Sequence, residues 1–466
     1  MRLIARIALV FSFFTLFSCK KEKTPDTPIV VVTPPTPTVG IKGEFMPLFV
    51  IKTTGTIVDE PKVKADMKIY VKDSVVATEN IGIEIRGAIS QLIYEKKSYA
   101  FETWDATNTA VPKSVLGLPI ESDWVLYGPY GDKTLIKNVV AYQLSNNIGR
   151  YAAKTAFVEV EINGEYKGLY VFMEKLKRDK NRIDVKKLTA TDNDSATISG
   201  GYIVKIDKTA GKGSTTQVNY TAINSFPSLY DVNGVLTSNV KTHFLFDYPS
   251  DVTISIPQRK YITDYIQNFE KALASPNFKT DTEGYKTYID VPSFIDFFLL
   301  TELMQNHDGY RLSTYLQKER GGKLKMGPIW DFDLTFGSAS FCNSINALDN
   351  YWVFQYTKYC PDDTWLVTFW WKRLLEDKSF SDQVKARWAA LRTTHFSDAT
   401  LTSSIDDKAN FLTQTNATKR NFTRWNILNT PIVPNTTTGT YDDETKRMKT
   451  WITKRTAWID ANIGKL

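Results

Sequence analysis

Histidine and cysteine are scarce: three of each occur, at His243, His307 and His395 and at Cys19, Cys342 and Cys360. No C-x-x-C and no close His pair is among them, so zinc chemistry on nitrogen or sulfur ligands is not the organising feature. Charge of one sign is also in short supply. The 58 Lys and Arg against 51 Asp and Glu leave +7, spread without a basic block, which gives no footprint for nucleic acid. No internal repeat is found. The most conspicuous apolar run, residues 7–17, would extend about 16 Å as a helix against a hydrocarbon core of roughly 30 Å, too short to span. What is present is apolar and aromatic: 42% hydrophobic and 13% aromatic residues over 466 positions. That suffices for one large bilobal core or two domains, and excludes a disordered or fibrous chain.

The apolar run follows Arg2 and Arg6, and residues 1–18 have the make-up of a signal peptide. Leu16-Phe17-Ser18-Cys19 places a thiol after a small residue, the pattern of a bacterial lipoprotein signal. Cys19 is therefore expected to be lipidated, holding an exported chain to a cell-envelope membrane by a lipid anchor only. Residues 19–41 then read as a Pro/Thr-rich, extended tether. The rest divides into a β-rich lobe over residues 42–175 and a mainly helical lobe over 176–466, an α+β chain.

In the β-rich part, alternating segments are broken by charged and Gly-containing turns. Lys96 and Lys97 open one strand. Either could reach a nucleotide phosphate, and a solvated edge pair is the alternative. Residues 132–149 read as a helix that contains no Glu. A hairpin follows, turning at Asn163-Gly164. Residues 175–194 read as a charged surface excursion, and 209–240 as a long polar loop. Helical register is predicted for residues 258–273, 292–304, 365–375, 380–391, 408–425 and 442–463. Cys342 and Cys360 could pair in an exported chain, but their spacing does not fix the distance between them.

The chain is organised around residues 296–337. An almost wholly apolar helix ends at Asn306-His307-Asp308-Gly309. A strand over residues 310–319, the turn Arg320-Gly321-Gly322 and a return strand from Lys323 then deliver Trp330-Asp331-Phe332-Asp333. Two acidic clusters thus meet at the open end of one hairpin. Such oxygen-only sites suit Mg²⁺, which takes one or two carboxylates plus substrate phosphates. Taken singly, each Asp also reads as a loop cap or a solvated charge, and His307 as a structural hydrogen-bonding residue. Protein kinases share this layout: a catalytic Asp with an Asn five residues on, a hairpin, then a metal-binding Asp beside a Phe.

Arg86-Gly87, Lys96-Lys97-Ser98-Tyr99, Asp132-Lys133-Thr134, Asn163-Gly164 with Tyr166, Gly168 and Tyr170, Glu174, Gly200-Gly201-Tyr202, Asn306 with Asp308, and Trp330-Asp331 with Gly337 follow one another in the order of the signature blocks of the spore-coat-protein-H (CotH) kinase family, which this chain resembles from about Phe45 to Gly337. The resemblance implies a bilobal kinase-like fold that uses ATP and Mg (or Mn) to phosphorylate protein hydroxyls. It carries the catalytic role to Asp308 and the metal role to Asp331, with Asp333 at a second acidic position. Ser313 stands at the second metal position, where the family commonly has Asn. Lys97 or Lys96 is implied as the nucleotide-lobe lysine and Glu174 as an interlobe contact. The contrasting expectation is a non-catalytic envelope pseudokinase, a protein- or glycan-binding module, for which Trp352, Tyr356, Trp365 and Trp370 could stack on sugars.

Overall fold

A computed structural model describes residues 42–466 apart from 210–218, 240–241, 339–341, 343–349 and 434. The leader, Cys19 and the tether lie outside the described residues, as does part of the expected 209–240 loop. All described residues belong to the unit Thr36–Leu466.

Seven strands, β1 (Leu48–Thr53), β2 (Val63–Val71), β3 (Ser74–Arg86), β4 (Ser98–Trp104), β5 (Asp123–Tyr127), β6 (Thr155–Ile162) and β7 (Glu165–Glu174), close into a barrel in the order β1-β2-β3-β4-β5-β7-β6. The first strand seals it by pairing in parallel with β6, Phe49 opposite Val160. The β6–β7 turn uses Asn163 and Gly164 at φ 53 and 83, the conformation that suits a two-residue hairpin turn. Period-two alternation on β7 serves two cores at once. Tyr170 and Phe172 point into the barrel with Phe49 and Trp124, while Leu169, Val171 and Met173 point out into a larger core. Helix α1 (Ile89–Ile93) links β3 to β4, and α2 (Lys137–Asn147) packs its Val140, Ala141 and Leu144 into that larger core.

A second sheet, ordered β12-β11-β8-β10-β9, comprises β8 (Tyr202–Ile206), β9 (Ser225–Pro227), β10 (His243–Tyr248), β11 (Thr314–Lys318) and β12 (Leu324–Met326). The remaining helices are α3 (Ile256–Ala274), α4 (Val291–Met304), α5 (Tyr356–Tyr359), α6 (Trp370–Leu375), α7 (Lys378–Arg392), α8 (Asp398–Gln414), α9 (Ala417–Arg424) and α10 (Tyr441–Asn462); α4 packs against β12, and α9 against barrel strand β7. The architecture is α+β, β-rich toward the N-terminus and helical toward the C-terminus. Helix α4 is buried along nearly its whole length; each of its enclosed Phe and Leu side chains contributes roughly 1.5–3 kcal/mol. Its buried charged groups are paired: Asp296 takes Arg150 at 2.7 Å and Arg387 at 2.8 Å, and Glu302 takes Arg455 at 3.2 Å.

Several sequence-based boundaries need correction. Helix α2 starts at Lys137 rather than at 132, because Leu135 at φ 65 leaves the helical path and Asp132 instead accepts from the Lys137 backbone N–H at 3.0 Å. The expected helix 408–425 is two helices, broken at Asn416 with φ 54, the first beginning at Asp398. The 175–194 segment is no mere surface excursion: Ile183, Val185 and Leu188 are core residues, and buried Arg182 lies 4.9 Å from the Trp124 ring centre. Cys342 and Cys360 are joined by a disulfide. Trp352, Tyr356 and Trp370 are buried, which removes them as sugar-stacking surfaces. Among the described residues no helix is long and apolar enough to cross a membrane.

Candidate active site

The C-terminal end of α4 sets the first acidic cluster. Gln305 at φ 50 turns the chain out of the helix, and the Asn306 side chain then bonds two ways. Its oxygen accepts from the Asp308 backbone N–H at 3.1 Å, and its nitrogen donates to the Asp331 carbonyl at 3.4 Å. One amide thus joins the two clusters. Arg311 donates to Asp308 Oδ1 at 2.9 Å. His307 is enclosed, its Nδ1 2.7 Å from the Tyr351 hydroxyl, and burial with Arg311 nearby holds it down to about 3, so it stays neutral and structural.

The second cluster is set by the β11–β12 hairpin and by α2. Pairing of Leu316 with Met326 and Lys318 with Leu324 fixes the hairpin register. Beyond it, the Asp331 backbone N–H donates to Tyr142 Oη at 3.3 Å and the Phe332 N–H to Asn138 Oδ1 at 2.7 Å. Lys137 donates to the Thr335 carbonyl at 2.8 Å. The helix without Glu therefore serves the acidic turn with Lys137, Asn138 and Tyr142. Asp331 and Ser313 both adopt left-handed backbone, φ 53 and 46, and the Ser313 hydroxyl donates to Asp331 Oδ2 at 3.2 Å. Non-glycine residues held in this region cluster at functional sites.

Asp308, Ser313, Asp331 and Asp333 line one cleft of about 570 Å³ together with Arg86, Lys96, Lys205, Lys208, Asp207, Asp247, Asp251 and Tyr127. Burial raises the Asp331 carboxyl above the ordinary range; Arg86 opposes this, while the charges of Asp207 and Asp308 add to it. Asp333 is raised by burial and then by Asp331, Asp308 and Asp132, with Lys137 opposing. Asp331 meets solvent on the cleft side although protein crowds it elsewhere, so water screens part of this cost. Repelling, oxygen-only carboxylates beside a hydroxyl are the donor chemistry of a hard divalent cation. Among the described residues no three His, Cys, Asp or Glu side chains could hold a metal ion by themselves. Magnesium needs only one or two carboxylates when phosphate and water supply the rest, so Asp331 and Asp333 with Ser313 fit Mg or Mn in that mode.

Other expected site residues lie differently. Lys96 lines the cleft but is almost fully buried, and its ammonium donates to Asn421 Oδ1 at 2.8 Å and to the Leu169 and Pro129 carbonyls. Lys97 donates to the Gln91 and Tyr94 carbonyls at 2.8 and 2.6 Å. Glu174 is buried on the barrel, accepting from Tyr151 Oη at 3.0 Å and the Lys154 N–H at 2.9 Å, away from the cleft lining. Sequence reasoning gave no role to Lys205, Asp207 or Asp247, which bring β8 and β10 into the cleft, Lys205 lying 3.3 Å from Asp247. The signal for two of them was a Lys on an otherwise apolar strand and an Asp two positions on, just past the strand end, hence on the same side.

Residues 83–459 match the family model described as CotH kinase protein. No curated protein matches the chain. The match covers well over half of the sequence, so the chain belongs to the CotH kinase family.

Proposed function

We propose that this member of the CotH kinase family is a membrane-anchored, kinase-like phosphotransferase that moves the ATP γ-phosphoryl group to protein hydroxyls with Mg or Mn. The barrel region and the helical region act as the two lobes. The observation that carries this reading is the convergence of Asp308, Asp331 and Asp333 on one cleft, with Asn306 joining the two acidic turns. Asp308, held by Arg311 through Oδ1, takes the proton of the acceptor hydroxyl at its other oxygen. Asp331 and Asp333, with Ser313, would hold the cation, which would supply neutralisation of phosphate charge, the main contribution in phosphoryl transfer, where positioning and electrostatics dominate. Residues 1–18 export the chain and lipidated Cys19 anchors it to a bacterial envelope membrane, with residues 19–41 as tether.

A second reading, a non-catalytic pseudokinase scaffold or binding module in the envelope, rests on Ser313 standing where Asn is common. Thermal denaturation separates the two. Stabilisation by nucleotide with Mg²⁺ and none by glycans supports the enzyme; stabilisation by glycans and none by nucleotide supports the module.

A further inference from the structure

Arg86 is the last residue of β3, in register with Ser98 of β4. Gly87, at φ 109, turns the chain sharply after it; a Cβ there would sit 2.2 Å from Ser90 Oγ, so the turn that leaves Arg86 at the cleft requires glycine. The Arg86 guanidinium lies 5.4 Å from the Trp330 ring centre, and Trp330 is stacked on Tyr142 with centroids 5.8 Å apart. The residue after Trp330 is Asp331. An arginine in a cleft this rich in carboxylates would ordinarily be paired, yet the Arg86 guanidinium makes no hydrogen bond or ion pair with any described residue. Two of the other cations differ: Lys96 is capped by carbonyl and amide oxygens, and Lys205 is paired with Asp247 and Asp207. Lys208, like Arg86, rests by an indole, 5.8 Å from the Trp365 ring centre, but carries a single ammonium rather than a planar fork. Arg86 is thus a flat fork of donors, steadied by an indole and left unclaimed beside the acidic turn, a geometry matched to phosphate oxygens.

We propose that Arg86 binds the phosphate groups of the nucleotide in this cleft, the position for which the sequence suggested Lys96 or Lys97. The proposal rests on the nucleotide reading above. Its ligand is a polyphosphate carried by a divalent cation, and the Trp330 indole serves as the platform that orients the guanidinium.

Affinities for Mg·ATP and for adenosine, together with melting temperatures, test this in the full protein and in the Arg86→Gln and Arg86→Lys variants. Arg86→Gln is expected to bind Mg·ATP about tenfold or more weakly, the loss of a charge-assisted hydrogen bond, with adenosine affinity and melting temperature unchanged. Arg86→Lys should fall between. Wild-type affinity for Mg·ATP in Arg86→Gln, or an equal loss for adenosine, overturns the role of Arg86 while leaving the nucleotide reading intact. Failure of the wild-type protein to bind Mg·ATP overturns both.

Discussion

Arg311 donates to Asp308 Oδ1 at 2.9 Å and, through another nitrogen, to Asp363 Oδ2 at 3.2 Å, with its guanidinium 4.1 Å from the Tyr356 ring centre. One oxygen of Asp308 is thereby fixed, and the other makes no hydrogen bond among the described residues. Arg311 is accordingly a positioning residue. Arg311→Ala should lower kcat about 10²-fold through misplacement of the carboxylate, with little change in nucleotide affinity. Both partner carboxylates keep some contact with water, so the accompanying loss of stability should stay below the about 3–5 kcal/mol of a fully enclosed pair. Steady-state kinetics with a melting curve checks this. Unchanged kcat would mean that Arg311 only braces the loop.

The left-handed backbone at Ser313 and Asp331 makes Asn the tolerable substitution at both, since Asn accepts positive φ more readily than other side chains. Asp331→Asn should keep its fold and lose Mg²⁺-dependent nucleotide binding, abolishing a stabilisation of about 2.7 kcal/mol expected at a hundredfold excess over Kd. Ser313→Asn places an amide oxygen where a hydroxyl now stands and should lower the Mg²⁺ concentration needed for half-maximal nucleotide binding. A magnesium titration at fixed nucleotide reads both; a Ser313→Asn variant that needs more Mg²⁺ contradicts the metal role of this position.

Much of this site was legible because its signals are local. Helix α4, the glycine turn of the β11–β12 hairpin and the acidic turn beyond it follow from apolar density, turn chemistry and alternation in adjoining stretches. The 310–319 strand was read too long, since Tyr310 and Ser313 at φ 70 and 46 keep the chain in turns until Thr314. What was not legible depends on distant partners. Barrel closure joins β1 to β6, two strands separated by six elements. The contacts of Lys96 and Lys97 are set by carbonyls of other segments, and Lys205 and Asp207 reach the cleft only because β8 lies beside β11.

Glu270 is buried against Ser228, the Leu229 N–H and the Trp370 indole, with no cation bonded to it among the described residues, and burial pushes its carboxyl up to about 7. Between the ordinary carboxylate range and about 7 the folded state therefore holds more protons here than the unfolded state. Stability contributed by this group is present below the unfolded value and is lost as pH rises through about 7. Glu270→Gln should flatten the pH dependence of the urea midpoint between about pH 5 and 7.5. A variant with the same slope as wild type would contradict the assignment.

The Cys342–Cys360 disulfide closes a loop with a sequence separation of 18 that carries Tyr351, the partner of His307. Replacing both cysteines with serine should cost about 3 kcal/mol by loop-closure entropy, measured by denaturant unfolding. Activity should fall less than in Arg311→Ala, because His307 supports Asp308 only indirectly. A larger fall in activity than in stability would assign the loop a direct part in the chemistry.

The most direct test of phosphotransfer is label incorporation from γ-labelled ATP, with Mg²⁺ or Mn²⁺, into envelope proteins or the chain itself, comparing wild type with Asp308→Ala. Metal-dependent incorporation that drops about 10²–10⁴-fold in the variant is the predicted outcome. Equal incorporation by the two proteins, or none by either, would contradict it.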